Sequence, residues 1–188
     1  MADSDNIVAA TAERIFADLA DPQAVTHSKD AGWRAPLWQA LSDAGLPLSW
    51  VRENCNGSGA SLADGFGVLN AAGRAALSVP LAETMLSGWL LSQAGNASPS
   101  GVMTVAPALP KDRIALGDDG TLSGVARGIP FACEARHIAV LASGADGFAI
   151  ALVDAANCRI TAGLNIAGDA SDTVTFDEVR PIALNPAP

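Results

Sequence analysis

The chain has 188 residues with Lys+Arg 11 against Asp+Glu 20, a formal net charge of −9, and a pI near 4.4. That length accommodates one large domain or two small ones. Apolar residues make up 49% and charged residues 16%, the opposite of the balance that keeps chains disordered. The acidic charge gives neither phosphate backbones nor anionic lipid surfaces a complementary patch, which excludes nucleic acid and membrane surfaces as expected partners.

The first half carries a helical period. Ile7, Thr11, Ile15 and Leu19 repeat on one face, with Ser4 or Asp5 as the candidate cap. After a loop that contains His27, read as a solvated residue, Pro36 opens a short helix with Leu37, Trp38 and Leu41, closed by Gly45. Gly57 and Gly59 bracket a tight loop, and Ser61-x-x-Asp64 has the form of a capping box. The helix it starts is expected to bury Leu62, Phe66, Leu69 and Gly73. A last helix runs from Pro80 to Gly95 with Leu81, Met85, Trp89 and Leu90.

Asn96-Ala-Ser-Pro-Ser-Gly101 reads as a linker, and beyond it the period shortens. Strands are expected at 102–105, 114–116, 121–125, 137–142, 148–153, 159–161 and 172–176, with Asp119-Gly120 and Asp146-Gly147 as hairpin turns. The expected architecture is α+β: a helical bundle over residues 1–98, then a small antiparallel β-barrel or sandwich over 99–188.

Free-standing chemistry is hard to find. Cys55, Cys133 and Cys158 have neither CxxC spacing nor an even count, so buried or incidental thiols are expected. Gly57-Ser58-Gly59 lacks the preceding strand and the Lys-Ser/Thr ending of a phosphate loop, and lacks the spacing of a nucleophile elbow. Cys133 and His137 are four apart, but at the entry to a strand that spacing does not bring thiol and base together. No cluster suggests a metal. The N-terminus lacks the basic and apolar regions of a secretory signal. The longest strongly apolar run, Ile138–Ala142, is far short of the ~20 residues that span a bilayer. A soluble cytoplasmic protein is expected.

Several segments, in order along almost the whole chain, resemble the acyl-CoA dehydrogenase family. Leu37-Trp38-Gln-Ala-Leu41-Ser-Asp-Ala-Gly45-Leu46 resembles its helix leading to Gly-Leu, and Glu53-Asn-Cys-Asn-Gly57-Ser-Gly59 resembles its E-x-Y-G-G-x-G loop. The stretch Ala72-Gly73-Arg74 through Val79-Pro80-Leu81-Ala-Glu-Thr84 is similar to the G-R-A…V-P-L-A-E-T of bacterial members. Asp119 to Ala132 resembles the family's flavin-facing hairpin D-G-x-L-x-G-x-A-x-x-V-P-W-A, and Phe176-Asp-Glu-Val179 resembles the F-D-x-V that ends its β-domain.

The resemblance implies a helical domain followed by a β-domain, FAD as cofactor, and α,β-dehydrogenation of an acyl-CoA thioester. It implies a cofactor wall at Met103, Thr104, Pro130, Phe131 and Ala132. In the family a C-terminal helical domain carries the catalytic carboxylate and the main oligomer contacts. This sequence ends at Ile182-Ala-Leu-Asn-Pro-Ala-Pro188, and Met103-Thr104-Val105-Ala106-Pro107 stands where T-E-P-x-x-G-S-D is usual. No catalytic residue is therefore assigned. The expectation is a subunit whose partner, in a hetero- or homo-oligomer, covers the surface left by those helices and supplies the base. The alternatives are a non-catalytic structural subunit of the same fold without flavin and, more remotely, a thiol enzyme using Cys133.

Overall fold

The computed structural model describes residues 7–20, 32–76 and 78–188. The expected positions of Ser4, Asp5 and His27 lie outside them. The described chain forms four α-helices, α1 (Ile7–Leu19), α2 (Arg34–Asp43), α3 (Leu62–Arg74) and α4 (Leu81–Gln93). Eight strands follow: β1 (Met103–Ala106), β2 (Ile114–Leu116), β3 (Leu122–Ile129), β4 (His137–Gly144), β5 (Gly147–Asp154), β6 (Arg159–Thr161), β7 (Asp172–Val179) and β8 (Ala183–Pro186). The α+β expectation holds.

Local signals set two helix boundaries as read from the sequence, whereas α2 starts at Arg34, two residues before the Pro36 expected to open it. Ser61 Oγ accepts from the Asp64 N–H while the Asp64 carboxylate accepts from the Ser61 N–H, a complete capping box. Gly45 ends α2 at φ +69°, a left-handed conformation that costs glycine no Cβ clash.

The buried faces differ from expectation. On α1 the core residues are Ala12 and Phe16, flanked by Val8 and Ile15, whereas Ile7 is 73% exposed. On α3, Leu62 and Phe66 point outward and Gly65, Val68 and Ala71 point in. Trp50 explains the rotation of α3. Its indole lies where a Gly65 side chain would be, 1.9 Å from an ideal Cβ. Its Nε1 donates to the Leu62 carbonyl at 3.2 Å, and its ring meets Phe66 edge-on at 5.0 Å. Small residues thus carry the close helix contact, and the large side chains are displaced to the rim.

The β-region departs from a wholly antiparallel set. The sheet order is β6-β7-β3-β2-β4-β5-β8, with β1 also on β4. One edge of β4 pairs in parallel first with β1, from Met103↔His137 to Ala106↔Val140, then with β2 at Ala115↔Ser143. Its other edge runs antiparallel to β5 through a two-residue turn at Ala145–Asp146, one residue before the expected Asp146-Gly147, because Gly147 already pairs with Gly144. The sheet curls around a core that includes Leu122, Ile129, Ile138, Val140, Val153, Val174 and Phe176. It does not close, because its order ends at β6 on one side and β8 on the other. Strand β8, not anticipated, continues β5 through pairs from Ala149↔Pro186 to Leu152↔Ala183.

The two regions share a core. Alternate residues of β4 and β5, namely Ala139, Ile150 and Leu152, turn to the opposite face and pack with Met103 on Leu91 of α4. This helix is covered on several sides, which accounts for its lack of a single apolar stripe. The 96–101 segment is fixed rather than a free tether. Asn96 is buried, donates to the Ile150 carbonyl at 3.2 Å and accepts from Asn185 at 2.7 Å, and Ser98 donates to the Gly88 carbonyl.

Candidate functional site

A cavity of about 580 Å³ opens where the α3–α4 connection faces the end of β3 and the β6–β7 loop. Its helical wall includes Leu69, Ala72, Val79 and Leu81, and its β wall includes Gly128, Pro130, Phe131 and Ala170. The β wall is shaped by an irregularity in β3. Between the pairs Ala126↔Val174 and Ile129↔Asp172 the strand carries one residue more than its partner, with Gly128 at φ +68°. Such a bulge bends a strand and re-aims its end. The turn that follows winds on itself, the Phe131 carbonyl accepting from both the Glu134 and Ala135 N–H groups at 3.0 Å. Phe131 stands at φ +52°, a region uncommon for a bulky side chain.

Of the five sequence-assigned residues, Pro130 and Phe131 line the cavity, whereas Met103, Thr104 and Ala132 are fully buried beside it. One hydrogen bond joins two of the five. Thr104 Oγ1 donates to the Pro130 carbonyl at 2.7 Å, so its hydroxyl hydrogen is spent inside the protein. The Met103 N–H donates to Thr84 Oγ1 at 3.1 Å. In contrast, the N–H groups of Phe131 and Ala132 donate to no acceptor among the described residues.

The polar residues of the cavity are acidic or neutral: Ser78, Glu83, Asn165, Asp169 and Ser171. Ser78 Oγ donates to Asp169 Oδ1 at 2.5 Å, joining the two walls. Burial pushes the Glu83 carboxyl above the usual range, and the charge of Asp169 adds to the effect. No Lys or Arg lines the cavity among the described residues.

Sequence reasoning missed Arg34, Ser78, Thr84 and Asp169 as contributors. Thr84 sat inside a quoted motif, and Arg34 had a signal. A cation in the first turn of a helix opposes the macrodipole, so Arg34 needs a partner. It finds one across the domain junction in Glu134, with Nη1 donating to Oε1 at 3.0 Å and Nη2 3.0 Å from Oε2. The latter contact is ionic only, since it is too far off line for a hydrogen bond.

Cys133 and His137 do not form a dyad, and no hydrogen bond joins them. The Cys133 thiol is pushed up by burial and by Asp172, and His137 is pushed down chiefly by burial. Both shifts run against a thiolate–imidazolium pair. The three cysteines are free. No group of three metal-ligating side chains occurs among the described residues, and no described helix is long and apolar enough to cross a membrane.

A helical layer and an open, curled sheet sharing a junction cavity define the class to which the solved relatives belong. No family model matches the sequence, and no curated protein matches it. Solved structures do. A variant of the Tcur3481-Tcur3483 steroid ACAD superimposes with a TM-score of 0.77 at 28% identity, covering 96% of this chain and 56% of that one. The ChsE4-ChsE5 complex from Mycobacterium tuberculosis gives 0.77 at 20% identity with the same coverages. An acyl-CoA dehydrogenase complexed with FAD from Bacillus anthracis gives 0.64 at 16%, covering 96% of this chain and 37% of that one. The chain therefore has the acyl-CoA dehydrogenase fold across its helical and β regions, as the sequence resemblance implied, and spans just over half the length of the first two.

Proposed function

We propose that this chain is a subunit of an acyl-CoA dehydrogenase-type oxidoreductase and contributes the wall against which a flavin ring rests. In this reading the acyl-CoA thioester enters the junction cavity, and a partner chain contributes to completing the site. The observation that carries the reading is the unspent N–H group of Phe131 on the cavity wall. A donor with no partner inside the protein needs an acceptor, and the polar edge of a flavin offers carbonyl and ring-nitrogen acceptors.

The residues present fit one end of FAD and not the other. Pro130 and Phe131 suit an aromatic ring, and the buried chain Met103–Thr84 and Thr104–Pro130 holds the backbone behind it. A diphosphate finds no cation here, only Glu83 and Asp169. The phosphates and adenine are thus assigned to the partner chain. FAD, when bound, supplies hydride acceptance in this family. This chain's residues supply orientation and exclude water from one face.

A second reading, a structural subunit of the same fold without flavin, is favoured by one feature, the acidic lining of the cavity. FAD titration followed by flavin fluorescence, on wild type and on Phe131→Asp, separates the two. The proposal expects saturable binding that the charged substitution abolishes while helicity is retained. Equal titrations of both proteins, or none by either alone and with the co-purified partner, would favour the structural reading.

A further inference from the structure

The turn that forms the β wall is gripped from the helical layer. The Arg34 guanidinium lies 5.8 Å from the centre of the Phe131 ring, within the range of a cation–π contact. It is held there by Glu134, three residues further along the same turn. The grip joins residues 100 apart in sequence, and the pair is partly shielded, with the Arg34 and Glu134 side chains 26% and 41% exposed. Phe131 adopts its left-handed backbone at the same place, a conformation that persists only where surroundings over-determine it.

We propose that Arg34 is a positioning residue for Phe131: with Glu134 it fixes the ring as the cavity wall and sets the local charge behind the flavin face. The consequence for flavin rests on the function proposed above; the grip on the turn does not. The two side chains act in opposite electrostatic senses. Reduction places negative charge on a flavin, and a nearby cation favours it while a nearby anion opposes it. Removing the Arg34 charge leaves Glu134 unpaired and lowers the flavin potential; removing the Glu134 charge leaves Arg34 unpaired and raises it. Loss of packing alone would move both variants in the same direction.

The test uses the full chain with Arg34→Gln, Arg34→Lys and Glu134→Gln. Amide hydrogen exchange reads the grip without any cofactor. The Glu134 and Ala135 amides, which bond the Phe131 carbonyl, should exchange about three- to tenfold faster in Arg34→Gln, the range a cation–π contact of this kind represents. Arg34→Lys should recover part of that protection, and the β4–β5 amides should not change. Unchanged exchange at Glu134 and Ala135, or an equal rise throughout the sheet, overturns the proposal. Where FAD binds, spectroelectrochemical titration should give potentials shifted in opposite directions in Arg34→Gln and Glu134→Gln. Shifts of the same sign overturn the electrostatic part. A wild type that takes up no FAD, alone or with the partner chain, removes the function proposed above, while exchange at these two amides still decides the positioning role.

Discussion

Thr84 ties the last helix to the first strand, and replacing it measures how much of the site's backbone depends on one hydroxyl. Thr84 is fully buried. Its Oγ1 lies 2.7 Å from the Pro80 carbonyl and 3.2 Å from the Met103 carbonyl, and its single hydrogen goes to the nearer. The oxygen then accepts from the Met103 N–H at 3.1 Å. Thr84→Val keeps the volume and removes the hydroxyl. The Pro80 carbonyl still accepts from the Thr84 backbone N–H, so the uncompensated loss falls on the buried Met103 N–H. An orphaned buried donor costs about 1–3 kcal/mol. For a chain of this size each kcal/mol moves Tm by roughly 2–4 °C, so a central cost of about 2 kcal/mol lowers Tm by about 4–8 °C. Thr84→Ser keeps the oxygen and loses one buried methyl, about 1 kcal/mol, hence about 2–4 °C. Thermal unfolding followed by circular dichroism should rank Val below Ser below wild type. A Val variant as stable as the Ser variant would refute the role assigned to the hydroxyl.

Three further outcomes are expected. Because the folded Glu83 carboxyl is raised above 4.5 by burial and by Asp169, its charge costs stability above the folded pKa, and that cost vanishes as pH falls toward 4.5. Glu83→Gln should therefore unfold at higher urea than wild type at neutral pH, with the two curves converging in acid; a constant difference across pH would contradict this. Asp172, buried, accepts from the Cys133 N–H at 2.9 Å and the Gly163 N–H at 3.1 Å. Asp172→Ala orphans both donors and should cost about 3 kcal/mol by urea denaturation, with Asn losing less because its amide oxygen keeps one partner. Burial lifts the Cys158 thiol from 9.0 to about 11, so at a given mildly alkaline pH its thiolate is about a hundredfold scarcer than an unperturbed thiol's; iodoacetamide mapping should find Cys158 slow to label in the folded state.

The fold was legible where a local rule decides the outcome. Capping at Ser61–Asp64, the left-handed stop at Gly45 and the existence of the β4–β5 hairpin each depend on one to four neighbouring residues. Faces and pairings were less legible because they depend on distant partners. The rotation of α3 follows from Trp50 filling the space above Gly65, and the parallel pairing of β1 with β4 joins segments more than thirty residues apart. Strand β8 is a short edge strand with a proline at its end, which a local reading takes as a tail. At the site, the segments that resembled a family led to Pro130 and Phe131 on the cavity wall. That Thr104 turns its hydroxyl to Pro130 is decided by tertiary packing. The Arg34–Glu134 grip is equally non-local, and only the unfavourable charge at a helix start announced it.

The central claim, a flavin-ring site at the Phe131–Ala132 turn, is tested most directly by amide NMR of the isotopically labelled chain during titration with FAD. The account expects saturable shifts at the Gly128, Phe131 and Ala132 amides, with the Phe148 end of the β4–β5 hairpin unmoved. Shifts confined to the Phe148 end, or a spectrum indifferent to FAD with and without the partner chain, would contradict it.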